Sequence, residues 1–254
     1  MAVTPGRLEE VKATIASAME ANNVITLLTY YLTDYGEAAL NAIASSILEK
    51  YKRPDLVDIV YTAAKELITN ATKANVKRLL LLEKGLDPSH EESYQEILKD
   101  LKGAMVEGNI QKFKKRLKAS NYQVTVSFKY SSEVLIIQVR NAAVLLPQEE
   151  ARIREKFKKA QGYENLFDFY MEHGDQTEGA GLGLTMIAIL LDQSGIEKHA
   201  FTLYFDEVRK QTSARLEIPL RPDYIPLRKR FQIELDRNPG ASPESLRRRY
   251  SAQI

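Results

Sequence analysis

Cysteine is absent from this 254-residue chain, which excludes disulfide scaffolds, thiol catalysis and cysteine-ligated zinc, and fits a reducing compartment without requiring one. Histidine is scarce: the three are His90, His173 and His199, and none precedes residue 90. Neither sign of charge is in excess, since 36 Lys and Arg against 34 Asp and Glu leave a formal +2, too balanced to argue for nucleic-acid binding. No apolar run reaches the ~20 residues of a membrane span. The N-terminus, with Arg7, Glu9, Glu10 and Lys12 inside a helical pattern, does not read as a signal peptide. Internal repeats and low-complexity tracts are missing too. The expectation is a soluble, cytoplasmic, globular protein, whose 44% hydrophobic residues suffice for one substantial core with accessory helices.

What is present begins with helical periodicity. Leu8, Val11, Ile15, Ala18 and Met19 mark an amphipathic helix over 7–22, and apolar Val24 to Leu32 predicts a second. After a break at Thr33-Asp34-Tyr35-Gly36, the residues Leu40, Ile43, Ile47 and Leu48 mark a third, which Arg53-Pro54 stops. Residues 1–53 therefore read as an N-terminal helical segment whose apolar stripes predict a homodimer. Alternating patterns predict one hairpin from Gln123–Tyr130 and Val134–Arg140, and another from Phe201–Val208 and Ser213–Leu220. Residues 83–120 read as a charged helical insertion running from Glu91-Glu92 to the basic run Lys112–Lys118. That run is either a face for phosphate or an acidic partner, or a solvated flank with positive charge near its C-terminal dipole end. A basic tail, 223–254, ends the chain; Ser242-Pro243-Glu244 looks like a helix start and Arg247-Arg248-Arg249 like a docking arm.

Two segments carry chemistry. Gly179-Ala180-Gly181-Leu182-Gly183-Leu184-Thr185 runs into the apolar Met186–Leu191. Glycines opening a helix let backbone amides and the positive dipole end approach anionic oxygens, although spaced glycines also make ordinary tight turns. About a hundred residues upstream, Glu66, Asn70 and Lys73 share one helical stripe beside an apolar face of Leu56, Val60, Ala63, Leu67 and Ala71. An Asn oxygen is a neutral ligand for Mg²⁺, a carboxylate four residues earlier can orient or deprotonate water, and a lysine one turn on can meet phosphate. Taken alone, that stripe is equally a solvated polar face.

Together and in this order, the two segments resemble the histidine-kinase-like ATPase superfamily of sensor kinases, anti-sigma-factor kinases, dehydrogenase kinases, type II topoisomerases, heat-shock chaperones and mismatch-repair ATPases. Glu66-Leu-Ile-Thr-Asn70-Ala-Thr-Lys73 looks like its asparagine box and Gly179–Thr185 like its second glycine box. Arg152-Ile-Arg-Glu-Lys156-Phe157 resembles the phenylalanine box that begins the ATP lid, here about 148–178, where Lys156, Lys158 and Lys159 can add charge. Leu216-Glu-Ile-Pro-Leu220 resembles the closing strand. The resemblance covers about 54–222 and implies a two-layer α/β sandwich of the Bergerat type, with a mixed sheet covered on one face by helices. It implies ATP and Mg²⁺ as ligands, with Asn70 holding the metal and Glu66 as the catalytic or site-orienting acid. Lys73, Gly179, Gly181, Leu182, Gly183, Leu184, Thr185 and, on the last strand, Thr212 would line the nucleotide.

One box departs from the pattern. Where the superfamily carries D-x-G-x-G after a strand, this chain has Asn141-Ala142-Ala143-Val144-Leu145. Asn141 retains one acceptor for an adenine amino group but adds donors and loses charge, and Leu145 puts a branched side chain where a glycine would admit the base. The helical region before the asparagine box holds no phospho-acceptor histidine; His90 stands in the wrong place in the order. The resemblance therefore implies a Mg-dependent kinase or ATPase that acts on, or with, a separate signalling protein, without a membrane span or nucleic-acid partner. Two alternatives stand beside it: an inactive pseudokinase-like binding module with an altered adenine pocket, and an ATP-driven dimer clamp in which Glu66 activates water.

Overall fold

The computed structural model describes residues 5–88, 90–160, 162–163, 166–173, 183–238 and 242. In chain order its elements are α1 (Pro5–Glu20), β1 (Ile25–Thr29), α2 (Asp34–Lys50), α3 (Val57–Lys84), α4 (Glu91–Ala104), α5 (Glu107–Ala119), β2 (Val124–Tyr130), β3 (Val134–Asn141), α6 (Pro147–Ala160), α7 (Leu166–His173), α8 (Gly183–Gln193), β4 (Phe201–Asp206), β5 (Gln211–Pro219) and α9 (Leu227–Arg237).

The architecture is mixed α/β, a sheet of five strands in the order β1-β2-β3-β5-β4 with helices against one face. Every pairing is antiparallel, so the sheet is not mixed as expected. Both hairpins form, and β3 then pairs with β5 to join them at the centre. Period-two alternation divides the faces. Val126 lies opposite Val139 and Phe128 opposite Ile137, and both pairs point into the core with Leu216 and Ala214. On the other face stand Ser127, Gln138, Ser213 and Arg215.

The largest correction falls at Val24–Leu32. Instead of a second helix, Ile25–Thr29 forms edge strand β1, antiparallel to β2 with Ile25 opposite Phe128. A short apolar run has no helical length to enforce its period, and Asn22, at φ 52°, turns the chain just before it. The N-terminal segment is thus helix–strand–helix. Ile15 and Met19 of α1 and Leu40, Ile43, Ile47 and Leu48 of α2 are buried in the core that includes the sheet.

Thr33 caps α2 by accepting from Gly36 N at 3.2 Å, as the Thr-Asp break implies. Helix α3 is longer than its motif, 28 residues closed by Gly85 in the left-handed region at φ 62°. Its N-terminal half packs on the sheet and its C-terminal half carries the insertion. There Val76, Leu79, Leu80 and Leu81 form a second core with Ile97 of α4 and Ile110 and Leu117 of α5. The insertion is helical as expected, with the basic residues Lys112, Lys114, Lys115 and Lys118 exposed. The tail supplies a packed helix, α9, while Arg247-Arg248-Arg249 lie outside the described residues.

Candidate functional site

The half-buried polar ridge of α3 and the C-terminal end of β3 converge with the first turn of α8. Leu67 and Ile68 anchor α3 in the core, which turns Glu66, Asn70 and Lys73 to the half-buried side of the helix. Gly183 opens α8 directly beside Glu66: a Cβ there would stand 2.8 Å from Glu66 Cδ. The two motifs, distant in sequence, are therefore in contact. Leu184, Ile187 and Leu191 seat α8 in the main core, so the Leu184 side chain itself serves packing. Gly179, Gly181 and Leu182 lie outside the described residues.

Two buried polar atoms on these helices, Asn70 Nδ2 of α3 and Thr185 Oγ1 of α8, have no hydrogen-bond partner among the described residues. Thr185 is 1% exposed. Buried polar groups are nearly always satisfied, so such orphans mark a place built for something polar. Glu66 and Lys73 likewise have no ion pair in the described structure.

Asn141 ends β3 opposite Thr212 of β5. Asn141 Nδ2 donates to Asn75 Oδ1 at 3.2 Å, and Asn75 Nδ2 donates to the Tyr122 carbonyl at 3.0 Å. The amide donor that distinguishes Asn from Asp is thus used inside the protein, leaving its carbonyl oxygen as the acceptor to present. Thr212 Oγ1 donates to the Ala143 carbonyl at 2.6 Å, tying the loop after β3 to β5. Leu145 is half-buried in that loop. Asn75 escaped sequence reading because it is off the Glu66–Asn70–Lys73 stripe and reads as an ordinary polar helix residue.

The start of the expected lid is the helix α6, fastened by a buried ionic network. Glu149 Oε1 accepts from Lys77 Nζ, and Glu149 Oε2 accepts from Arg78 Nη2 at 2.5 Å and Leu146 N at 3.1 Å. Lys77 also donates to Tyr94 OH of α4 at 3.0 Å, and Arg152 stacks over the Tyr94 ring at 4.8 Å. Burial would raise the Glu149 carboxyl, but the opposing charges of Lys77 and Arg78, with the hydrogen bonds from Lys77 and Leu146, hold it below the ordinary glutamate value. Lys156 is held below the ordinary lysine value by burial, then by Lys73, Lys77 and Arg152. Lys156 of α6 thus shares a positive field with Lys73 of α3, the electrostatics an anion would relieve.

Among the described residues no cluster of three His, Asp or Glu side chains can hold a metal by itself. Mg²⁺ does not need one, since it binds through one or two protein oxygens completed by phosphates and water. His199 sits 3.8 Å from Glu197 and is kept below the ordinary imidazole value by burial and then by Arg228 and Lys229, apart from this site. No described helix is long and apolar enough to cross a membrane.

The fold is mixed α/β, and half-buried polar residues of α3 meet the start of α8 beside it. The chain is similar to a protein of Treponema pallidum (strain Nichols) that carries the name "Uncharacterized protein", 32% identical over 205 residues, or 81% of this chain. It spans only 39% of that relative's length. No family model matches the chain, and no solved structure matches it.

Proposed function

We propose that this chain is a nucleotide-binding protein of the histidine-kinase-like ATPase type, with a Bergerat-type sandwich, that takes Mg·ATP and acts on or with a separate signalling protein. The observation that carries the reading is the meeting of Glu66 with Gly183 around the unpaired Asn70 Nδ2 and Thr185 Oγ1. In this reading phosphates lie against the amides at the start of α8, with Lys73 and Lys156 supplying charge. Asn70 Oδ1 holds Mg²⁺, which supplies charge neutralisation at the phosphoryl oxygens. Glu66, which has no ion pair among the described residues, would accept a proton from water or a substrate hydroxyl. The Asn141 carbonyl and Thr212 border the base.

The test is calorimetric titration with ATP and GTP, with and without Mg²⁺, of the full chain and of Asn70→Ala and Asn141→Asp. Mg²⁺-dependent micromolar binding that Asn70→Ala abolishes supports the reading. Phosphate appearing on an added protein identifies a kinase; hydrolysis lost in Glu66→Gln together with ATP-dependent dimerisation identifies a clamp. The pseudokinase-like reading is favoured by one specific observation, the engagement of the Asn141 amide with Asn75 in place of a free carboxylate. Absence of binding in the native chain with a gain in Asn141→Asp is its signature.

A further inference from the structure

β4 is an edge strand, and an edge leaves the N–H and C=O groups of alternate residues without a sheet partner. A groove of about 980 Å³ runs along it, lined by none of Glu66, Asn70, Lys73, Asn141, Thr185 and Thr212. Its walls come from both faces of the sheet. Leu203 and Phe157 line it from the helix face, where Phe157 stacks on Phe201 at 5.0 Å between centroids; Tyr204 and Arg215 line it from the polar face.

We infer that this edge accepts an extended acidic segment of a partner protein as a sixth strand, with apolar and acidic residues alternating along it. Strand periodicity requires the alternation: successive side chains of an added strand fall on opposite faces, one met by Phe157 and Leu203 and the other by cations. Charge selects the sign. Of the acids lining the groove, Glu150 is spent on Arg154 at 2.6 Å and Glu217 on Arg215 at 3.0 Å. Lys158, Lys198 and Arg228 line it without a carboxylate partner among the described residues, against Asp192 alone. The polar face continues the positive field. There Lys129 is held below the ordinary lysine value by burial and then by Arg215, Arg140 and Arg209, and Arg140 Nε is buried without a hydrogen-bond partner. A second copy of the chain is the poorer occupant, since a two-fold edge pairing would bring the same cations together.

Fluorescence anisotropy of the full chain with a labelled peptide of alternating Glu and Val, beside one of alternating Lys and Val, tests the inference. The acidic peptide binds at least ~tenfold more tightly, a difference of ~1.4 kcal/mol, and protects amides within 201–206 from hydrogen exchange. The Lys198→Glu/Arg228→Glu double variant, altered only at exposed positions, inverts the preference. Equal affinity for the two peptides, protection elsewhere, or self-association through β4 in place of peptide binding overturns it. ATP titration of the same variant is unchanged, so failure here and failure of the nucleotide reading are separate results.

Discussion

Removing the Glu149 carboxylate tests how α6 is held. Glu149→Gln keeps the shape and one acceptor oxygen but leaves Lys77 and Arg78, whose side chains are 11% and 10% exposed, as buried cations without a counter-charge. Breaking a buried pair by deleting one partner costs ~3–5 kcal/mol, mostly the penalty of the stranded charge. With a urea m-value of ~3 kcal/mol/M, the midpoint falls by ~1–2 M. The loss has a pH signature. Because the folded pKa of Glu149 is depressed, the stabilisation is fully present above the unfolded value of ~4.3 and disappears as pH falls through the lower folded value. Wild type and Glu149→Gln therefore converge in stability as pH drops below ~4. The assay is urea denaturation monitored by circular dichroism across pH, with hydrogen exchange over α4 and α6 to localise the loosening. A midpoint shift worth less than ~1 kcal/mol at pH 7, or no convergence in acid, refutes the argument. A Lys77→Met/Arg78→Met/Glu149→Leu variant restores much of the loss, since replacing all three charges by apolar groups leaves no stranded cation.

Other positions separate packing from site chemistry. Gly183→Ala should change stability by no more than ~1 kcal/mol, because its Cβ meets the far end of a flexible side chain, yet it turns Glu66 aside and weakens Mg·ATP binding ~tenfold; an unchanged Kd by calorimetry removes that contact from the site. Phe128→Ala, at a position with 0% exposure in the central layer, should cost ~3–5 kcal/mol in chemical denaturation. Asn75→Ala frees the Asn141 amide and leaves the Tyr122 carbonyl unmet, so a loss of ~1–3 kcal/mol is expected with altered ATP-versus-GTP preference; an unchanged preference argues that Asn141 does not face the base.

Local pattern was enough for much of the molecule. The stripe Leu67, Ile68 and Ala71 could bury only one side of α3, so the ridge of Glu66, Asn70 and Lys73 was legible before any coordinates, and alternation in Val124–Asn141 fixed which residues enter the core. These are decisions made over a few neighbouring residues. Ile25–Thr29 was different: five residues suit helix or strand alike, and only hydrogen bonds to β2 resolve the ambiguity. The same holds for the ionic network, because Lys77 and Glu149 are separated by 72 residues and each reads alone as an ordinary surface charge. The sequence by itself determined most of the helices, both hairpins and the core faces, since those follow from local periodicity and residue type. Only the tertiary structure decided that Glu66 meets Gly183, that Asn141 spends its amide on Asn75, and that β4 lies at the sheet edge. Those facts depend on which distant surfaces pack together, a choice made by the whole core and not by any one segment.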